Sequence, residues 1–328
     1  MNVLERIPVP TGDILIVEGE HGKLECLSIG DYGKAINVKC DAMGLTREPE
    51  RVRHQAMLPL EEKWVVTIST QYGCSVGCSF CDVPKVGPGR NATFWDLVGQ
   101  VKAAVALHPE VMHTNRLNLH YARMGEPTFN PNVLLSAVYL KAWFSSWGFH
   151  PVVSTMVPNH YRVLDFIGAW MRFKNDVCHG EAGLQLSINS TDEIERQRMF
   201  GGVAKSLEEV SQTMGKCNLP LGRKITLNFA VADWTVDAEL LASLFSPEYY
   251  VCKLTPMHRT SSAEQRGIHT AGDYTTYHPY RDLEESLKAV GYDVLVFIAS
   301  ESEDLGRITC GNAILSGTRP FDTETKTT

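Results

Sequence analysis

The chain has 328 residues, 44% of them hydrophobic, and a formal net charge of -7 at pH 7. This length and apolar content are sufficient to bury a large core within one main domain. No run of 18 apolar residues and no charged start followed by an apolar stretch occurs, which argues against a membrane span or secretion. The acidic balance weighs against a protein that grips RNA mainly through phosphates, since such proteins usually carry a basic patch.

The first 60 residues have the pattern of a small β element. Between residues 12 and 40, apolar and polar residues alternate as they do in half-buried strands. Glu20-His21-Gly22 interrupts this alternation and predicts a turn between two strands. Residues 41–62 carry prolines and many charges, which is typical of a connector. We therefore expect residues 1–60 to form a β element and a connector onto the main domain.

From Trp64 onward, strand-like and helix-like segments alternate. Apolar runs predict strands at 64–69, 117–121, 151–155, 183–188, 225–231, 250–255 and 293–299. Helical periodicity between them predicts helices at 94–107, 131–147, 159–173, 205–215, 235–245 and 280–290. Thr93 and Asp96 have the spacing of a capping box that would start the first helix. The pattern predicts an α/β fold, a partial (β/α) barrel over residues 61–315, with a flexible tail at 316–328.

Three cysteines, Cys74, Cys78 and Cys81, follow the first predicted strand of this barrel. Their CxxxCxxC spacing can hold three irons of a four-iron cluster and leaves the fourth iron open for a substrate or cofactor. A structural zinc site needs a fourth ligand, and no other Cys or His lies within ten residues of the three. Nine cysteines, an odd number, fit a disulfide framework poorly. The spacing favours an open cluster in a reducing cytoplasm, with zinc or incidental cysteines as alternatives.

Further candidate site residues stand at or just past the ends of other predicted strands: Gly125, Glu126, Ser154, Ser187, Asn189 and His258. Barrels of this kind build their active sites at the carboxyl ends of their strands. The alternative for each is an ordinary loop or capping residue. The shared position favours one cavity.

Several ordered motifs resemble one family. Cys78-Ser-Phe-Cys81 followed by residues 82–101 resembles the cluster loop and first helix of the RlmN/Cfr-type RNA adenine methyltransferases, which belong to the radical SAM superfamily. Met124-Gly125-Glu126-Pro127 with Asn130 resembles that family's GMGEP element. Further elements follow in the family's order: Ser154-Thr155, residues 186–189 with Arg198, residues 254–258, and Thr309-Cys310-Gly311. The resemblance covers about residues 50–315 and implies a radical SAM barrel, a [4Fe-4S] cluster on the three cysteines and S-adenosylmethionine on its open iron.

The resemblance also implies roles for individual residues. Gly125 and Glu126 would bind the amino group of S-adenosylmethionine, and a group comprising Ser154, Ser187, Asn189 and His258 would hydrogen-bond the rest of the cofactor. The family has His at the position of Asn189 and Asn at that of His258, so these two are departures. Cys310 would accept a methyl group, from which a 5'-deoxyadenosyl radical abstracts hydrogen before the carbon adds to an adenine ring. A thiolate suits methyl transfer because sulfur is a strong, soft nucleophile.

The release step departs from the family. The family has a second cysteine seven residues before its first cluster cysteine and a glutamate further upstream. In this chain the corresponding positions are Thr67 and His54. Thr67 cannot form the disulfide that frees the family's product. His54 is a candidate base, because an imidazole titrates near neutral pH. The family's helical RNA-binding extension at the amino terminus is replaced here by the short β element.

The sequence thus favours a cytoplasmic radical SAM methyltransferase acting on an sp² carbon of a nucleobase or related heteroaromatic ring. By resemblance, an external electron donor such as a flavodoxin or ferredoxin would be its partner, and RNA or a small molecule its substrate. One alternative is a radical SAM enzyme that modifies a small molecule, nucleotide or peptide and uses Cys310 as a hydrogen donor. Another is a non-catalytic iron-sulfur binding protein.

Overall fold

The computed structural model describes residues 1–31, 57–269, 278–299 and 301–320. The candidate base His54 and most of the predicted connector lie outside these ranges. The described strands are β1 (Asn2–Val9), β2 (Gly12–Gly19), β3 (Gly22–Gly30), β4 (Trp64–Ile68), β5 (Gln71–Gly73), β6 (Pro88–Asn91), β7 (Leu117–Tyr121), β8 (Phe149–Thr155), β9 (Gly183–Ser187), β10 (Ile225–Val231), β11 (Tyr250–Pro256) and β12 (Asp293–Val296). The α-helices are α1 (Phe94–Val105), α2 (Asn132–Trp143), α3 (Arg162–Arg172), α4 (Glu193–Met199), α5 (Leu207–Gly215), α6 (Ala238–Leu244), α7 (Ser261–Gln265), α8 (His278–Ala289) and α9 (Glu301–Leu305).

The described strands build one ten-stranded sheet in the order β1-β2-β3-β4-β7-β8-β9-β10-β11-β12, beside a separate β5–β6 hairpin. From β4 onward, all neighbours in this sheet are parallel and are joined through helices. The predicted α/β fold with a parallel sheet is confirmed. The first three strands pair antiparallel, and β3 pairs with β4, so they extend the main sheet at one edge.

The parallel strands present alternate residues to opposite faces of the sheet. In β4, Trp64, Val66 and Ile68 are fully buried against helices, whereas Val65 and Thr67 are only half-buried on the other face. The helices α1, α2, α3, α5, α6 and α8 all contribute to the core cluster on the first face. α1 begins with the expected capping box between Thr93 and Asp96. None of the described helices is both long and apolar enough to cross a membrane.

The opposite face, which we call the inner face, is polar. Three register pairs show its character: Thr67 faces His120, Ser154 faces Gln185, and Asn228 faces Lys253. These residues alternate with buried apolar residues of the same strands, such as Leu119, Leu186 and Leu254. Since a polar sheet face gains little from packing against apolar side chains, the inner face is suited to bind a polar ligand.

Residues 301–320, which carry Cys310, are anchored at the inner face of β2 and β3. Ile308 and Ile314 join a small apolar cluster with Ile14, Ile16 and Leu27. A buried ion pair beside this cluster joins Arg123 to Glu25, with 2.6 Å between Arg123 Nε and Glu25 Oε1. Arg123 also donates to the carbonyl of Arg307 at 2.9 Å, and Glu25 accepts from the amide of Leu315 at 3.2 Å. Apolar packing and this ion pair together fix the position of the segment.

Candidate active site

The cysteine loop, residues 74–81, leaves the end of β5 and is clamped from three sides. Its start is fixed by a hydrogen bond from the amide of Cys74 to the carbonyl of Gly87, at 3.1 Å. The amide of Ser79 donates to the carbonyl of Met199 at 2.8 Å. Near the end of the loop, Arg266 Nη1 donates to the carbonyl of Ser79 at 2.7 Å, and Thr260 Oγ1 to that of Phe80 at 2.5 Å. These contacts join the loop to segments far away in sequence.

Asp82, directly after the last cysteine, links the loop to α7. Its carboxylate accepts from the amides of Ser261 and Ser262 at 3.0 and 2.9 Å, and from both hydroxyls. Lys85 Nζ lies 2.8 Å from the same carboxylate. Burial raises the pKa of Asp82, but hydrogen bonds from Lys85, Ser262 and Ser261 outweigh it and hold the pKa at about 2. Asp82 therefore stays ionised and caps the first turn of α7.

The three cysteine thiols are half-buried and close enough to affect one another's ionisation. Burial raises the pKa of Cys74 to about 11, with Glu126 adding to the effect. Burial also raises the pKa of Cys78 well above the ordinary value, and the neighbouring Cys81 and Cys74 raise it further. A bound metal centre reverses this tendency, because its positive charge deprotonates coordinating thiols. The thiolate donor set is soft, which suits iron-sulfur chemistry.

In the part of the chain that the structure describes, no three Cys, His, Asp or Glu side chains converge as ligands of a single metal ion. A four-iron cluster takes each thiolate on a separate iron, so its ligands stand apart from one another. Two features make this loop suitable for a cluster. Its thiolate donors are soft, and the positive charge of a metal centre would balance the negative charge of the three thiolates.

An apolar shell surrounds the cysteine loop. Val76, Met156, Met199, Phe200 and Ala204 form a buried cluster against which Cys74 and Cys78 pack. Trp234 also packs there, and its buried indole Nε1 has no hydrogen-bond acceptor within the described ranges. An apolar shell of this kind controls the access of solvent to a metal centre. The orphaned indole N–H is a donor that a ligand beside the loop can satisfy.

Gly125 and Glu126 lie directly beside the cysteine loop. Gly125 has φ +97, and a Cβ there would stand 2.6 Å from Cβ of Gln71, so only glycine fits. Glu126 is buried, and its carboxylate accepts from the amide of Thr128 at 3.1 Å and of Met156 at 3.2 Å. Burial raises the pKa of Glu126 against these hydrogen bonds. The negative charge of Glu126 raises the pKa of Cys74 and Cys78, so the carboxylate and the loop share one site.

Gln71 joins these two parts of the site. Its Oε1 accepts from the amides of Glu126 and Ser75, at 3.1 and 3.2 Å. Its Nε2 donates to Ser75 Oγ at 3.0 Å and to Asn91 Oδ1 at 2.8 Å. Gln71 therefore positions the glutamate relative to the cysteine loop.

Ser154, Ser187 and Asn189 differ in how available their side chains are. Ser154 and Ser187 are half-buried at the carboxyl ends of β8 and β9. Asn189 is buried with φ +62, and its side chain accepts from the amide of Ala230 at 2.9 Å and contacts Met199 Sδ at 3.1 Å. The two serines face the inner side of the barrel, whereas the Asn189 amide is engaged in holding β9 to β10.

His258 follows β11 and lies beside the segment that carries Cys310. Its Nδ1 is 3.3 Å from Asp304 Oδ1, and the same oxygen accepts from Thr309 Oγ1 at 2.7 Å. Asp304 Oδ2 accepts from the amide of Arg259 at 3.0 Å. The structure thus places His258 against the support of Cys310.

Cys310 is solvent-exposed, and nearby protein groups affect the ionisation of its thiol. Burial raises the pKa of its thiol, while the charges of Lys253 and Arg123 lower it. The following residue, Gly311, accepts from the amide of Asp82 at 2.9 Å, and Cys81 Sγ lies 3.6 Å from the same carbonyl. The thiol therefore lies near the last cysteine of the loop, in the region between the inner face of the sheet, the cysteine loop and residues 301–320, which we call the chamber.

The structure brings together Cys310, Glu126 and the three loop cysteines, with the two serines on the same inner face. Thr67, at the position of the family's second cysteine, is half-buried on the inner face of β4. Sequence reasoning missed Gln71, Asp82 and Lys253. Asp82 adjoins the cysteine motif, and Lys253 is an isolated charge in an apolar strand, so both carried a signal; the role of Gln71 depends on tertiary contacts.

The comparisons with known proteins agree with this geometry. No protein-family model matches the chain. It is 27% identical over 192 residues to a probable RNA methyltransferase of Sorangium cellulosum, covering 57% of this chain and 46% of that protein. It is 26% identical over 265 residues to a probable dual-specificity RNA methyltransferase RlmN of Deinococcus deserti, covering 79% of this chain and 72% of that one.

A solved structure supports the fold. The crystal structure of a radical SAM methyltransferase from Sphaerobacter thermophilus superposes with a TM-score of 0.65 at 19% identity, covering 95% of this chain and 80% of the other. The chain is therefore similar in sequence to RlmN-type RNA methyltransferases and shares the fold of a radical SAM methyltransferase.

Proposed function

We propose that this protein is a radical SAM methyltransferase that methylates an sp² carbon of an RNA nucleobase, with Cys310 as the residue that carries the methyl group. The observation that carries the proposal is the exposed thiol of Cys310 beside the cysteine loop, with 3.6 Å between Cys81 Sγ and the Gly311 carbonyl. RNA is proposed as the substrate because the relatives are named RNA methyltransferases. More than half of the first relative lies outside the match, so the substrate is part of the proposal.

The cofactors are assigned to residues of this chamber. Cys74, Cys78 and Cys81 would hold a [4Fe-4S] cluster, which supplies the electron that cleaves S-adenosylmethionine. Glu126 would oppose the ammonium of the cofactor with its carboxylate, which the amides of Thr128 and Met156 and the hydroxyls of Thr128 and Thr155 hold in place. Ser154 and Ser187, which face the inner side, would hydrogen-bond the carboxylate and ribose.

Asn189 and His258 would act mainly as supports. The Asn189 amide is engaged between β9 and β10, and His258 contacts Asp304 under the Cys310 segment. Both differ from the residues of the family. The two positions at which this chain differs from the family would therefore shape the chamber.

Cys310 performs the polar half of the reaction. Its thiol proton leaves to solvent, which reaches the exposed side chain. The Sγ lone pair then forms a bond to the methyl carbon of a sulfonium donor, and the donor's carbon–sulfur bond breaks with its electron pair remaining on the leaving thioether. Lys253 and Arg123 favour the thiolate against the effect of burial.

The test uses the anaerobically purified chain, a methyl-labelled S-adenosylmethionine, a reductant and deproteinised RNA. We expect label in an RNA base, and one extra CH2 group on the peptide that contains Cys310 in the resting protein. Cys310→Ser should reduce both signals to background, whereas Cys217→Ser, a half-buried cysteine outside the site, should retain them. Full labelling of RNA by Cys310→Ser would show the proposal to be wrong.

Iron content gives a separate check of the cofactor assignment. Cys78→Ala should lose the cluster and the reductive cleavage of S-adenosylmethionine, because a chain with two thiolates cannot hold three irons. The triple variant of Cys74, Cys78 and Cys81 should contain no iron after anaerobic purification. Unchanged iron in the triple variant would contradict the assignment.

The release step is expected to differ from that of the relatives. Thr67 offers no thiol on the inner face of β4, so a covalent adduct between Cys310 and RNA cannot be released through a disulfide with this position. We expect a ribonuclease-sensitive protein–RNA adduct to accumulate on denaturing gels, and Thr67→Cys to reduce it. If the protein methylates ribosomal RNA over many turnovers and no adduct forms, this expectation is contradicted.

A further inference from the structure

Four cations converge at the end of the inner face where the parallel strands begin. Lys63 precedes β4, Arg116 precedes β7 and Arg223 precedes β10. Lys253 lies within β11 between Cys252 and Leu254, which are fully buried on the helix side, so its side chain points to the inner face. Since parallel strands begin at one edge of a sheet, the first three residues share one end of the chamber, and Lys253, in the middle of β11, is close enough for its ionisation to be affected by Arg223 and Lys63. We call them the cationic end.

The packing of these side chains confirms that they face inward. A Cβ on Gly183 would stand 3.0 Å from Arg223 Nη1 and 3.0 Å from Val152 Cγ2, so the guanidinium lies against β9. Arg116 Nε donates to Asn118 Oδ1 at 3.1 Å. Lys253 Nζ lies 5.2 Å from the centre of the Phe297 ring.

His120 of β7 lies in the midst of the four cations. Burial lowers the pKa of His120 to about 3, and the charges of Lys253, Arg223, Lys63 and Arg116 all act in the same direction. Burial likewise lowers the pKa of His150 to about 4, with Arg116 and Arg223 contributing. Both imidazoles are therefore neutral at pH 7.

The cationic end has more positive than negative charge. Asp31 forms an ion pair with Lys63, and Glu181, whose side chain is 59% exposed, approaches His150 at 3.4 Å. Within the described ranges, Lys253 and Arg223 have no carboxylate at ion-pair distance. Four cations thus face two carboxylates in a chain whose net charge is -7. Partly buried, unmatched charges cost free energy, which an anionic ligand would return on binding.

The same chamber contains the reactive thiol. Lys253 and Cys310 each affect the ionisation of the other, which places them in electrostatic contact across the chamber. A substrate that presents a ring to Cys310 therefore extends its neighbouring groups toward the cationic end. Phosphate suits that position, because it carries a charge of about -1.5 to -2 as a monoester and pairs with the planar fork of arginine.

We propose that the cationic end binds a phosphate group of the substrate nucleotide, with Lys253 and Arg223 as its principal contacts. The inference rests on the proposed function, since it places a further part of the same substrate in the same chamber. The phosphate comes from a free mononucleotide or from one nucleotide of an RNA strand; both present anionic phosphate oxygens to the four cations.

Calorimetry on the whole, anaerobically purified chain without reductant tests this, because no turnover occurs. The probes are inorganic phosphate, adenosine monophosphate, adenosine and a short single-stranded oligoribonucleotide. A charge-assisted hydrogen bond contributes enough that Lys253→Met and Arg223→Gln should each weaken phosphate binding by about tenfold or more. Both should leave adenosine binding unchanged. Lys216→Met, which removes an exposed lysine at the end of α5, is the matched control and should bind phosphate as the unaltered chain does.

The arms of the experiment separate the sources of phosphate. Tight binding of the mononucleotide with weak binding of the oligoribonucleotide identifies a free nucleotide, and the reverse identifies an RNA strand. Adenosine bound as tightly as adenosine monophosphate, or variants that bind phosphate normally, would overturn the proposal. If methyl transfer fails while phosphate binding behaves as expected, only the proposed function is wrong.

A measurement on the unaltered chain covers the case in which a variant does not fold. Limited acetylation read by peptide mass spectrometry should show that adenosine monophosphate protects Lys253 and leaves Lys216 reactive. Equal acetylation of Lys253 with and without the nucleotide would also overturn the proposal.

Discussion

Lys253 is a single cation in the otherwise apolar strand β11. Burial lowers its pKa to about 8; Arg223 and Lys63 add to this effect, whereas Cys310 and Asp31 oppose it. Its ammonium is therefore charged at neutral pH but lies within reach of deprotonation. A residue of this kind gives ligand binding a dependence on pH that an arginine would not give.

Phosphate binding should weaken as the pH rises through about 8. Lys253 is protonated below its pKa and attracts the anion, whereas above that pKa it is neutral and the attraction is lost. A phosphomonoester is already dianionic above its second pKa of about 6, so the ligand does not cause this decline. Lys253→Arg should retain affinity at high pH, since arginine stays charged up to about pH 12. Calorimetry across this range checks the expectation, and identical profiles for the two proteins would contradict it.

Gly125 gives a prediction about the geometry of the cofactor site. Gly125→Ala places a methyl group 2.6 Å from Gln71 and forces φ +97 on a residue with a side chain. The backbone conformation alone should cost about 1–3 kcal/mol of unfolding free energy. Gly77→Ala, in the same cysteine loop but with open space around it, is the control. The unfolding free energy measured in urea and the iron content should both fall for Gly125→Ala and not for Gly77→Ala. Equal values for the two variants would contradict the role of Gly125 in the cofactor site.

At the level of elements, the segment 301–320 is held to the edge of the sheet by one apolar cluster and one buried ion pair. Glu25 supplies a carboxylate to Arg123 and to the amide of Leu315, and Arg123 reaches the carbonyl of Arg307. The extra strands at the edge therefore serve to position the segment that carries Cys310.

Removal of the Glu25 charge should loosen this segment. Glu25→Gln leaves Arg123 buried without its counter-charge, and breaking such a pair costs about 3–5 kcal/mol. Urea unfolding should show this loss, and limited proteolysis should cleave near residues 301–320 first. Arg6→Met, which breaks the half-exposed Arg6–Asp13 pair of the same strands, should have a much smaller effect. Similar losses for both variants would argue against the anchoring role.

Much of this architecture follows from the sequence. Apolar runs predicted β4 and β7–β12, and helical periodicity predicted α1, α2, α3, α5, α6 and α8, because burial on one face imposes these patterns. Strand β1 was missed because it is an exposed edge strand without alternation. The β5–β6 hairpin and the short helices α4 and α7 were also missed, since they depend on contacts such as those of Asp82 with Ser261 and Ser262.

The site was predictable to a similar extent. The spacing of Cys74, Cys78 and Cys81 is by itself sufficient to identify the cysteine loop. The cationic end was not predictable, because Lys63, Arg116, Arg223 and Lys253 are separated in sequence and meet only when the strands align. His54 lies outside the described residues, and its role as a base stays a prediction.

The whole chain has a net charge of -7, whereas the cationic end of the chamber has more positive than negative charge. Such a distribution favours anions within the chamber and repels them from the rest of the surface. RNA binding should therefore depend on few phosphate contacts.

The salt dependence of RNA affinity measures this directly. One neutralised phosphate on a single strand predicts a slope of about -0.7 in a plot of log affinity against log salt concentration. Fluorescence titrations of a labelled oligoribonucleotide over a range of salt concentrations give the slope. Lys253→Met should make it shallower and Lys216→Met should not. A slope several times steeper would show that a wider surface binds the strand.

The hydrogen bonds that clamp the cysteine loop have a consequence for how the proposed iron-sulfur cluster would be inserted. Backbone carbonyls of Met199 and Gly311 and the side chains of Thr260 and Arg266 hold the loop through contacts that involve no metal. Small zinc domains fold only when their ion arrives, since the metal contributes most of their folding free energy. In this protein the loop is held by contacts with the rest of the chain, so we expect iron insertion to require little ordering of the loop. The iron-free protein should thus persist as a folded acceptor, and cluster delivery can follow synthesis rather than accompany it.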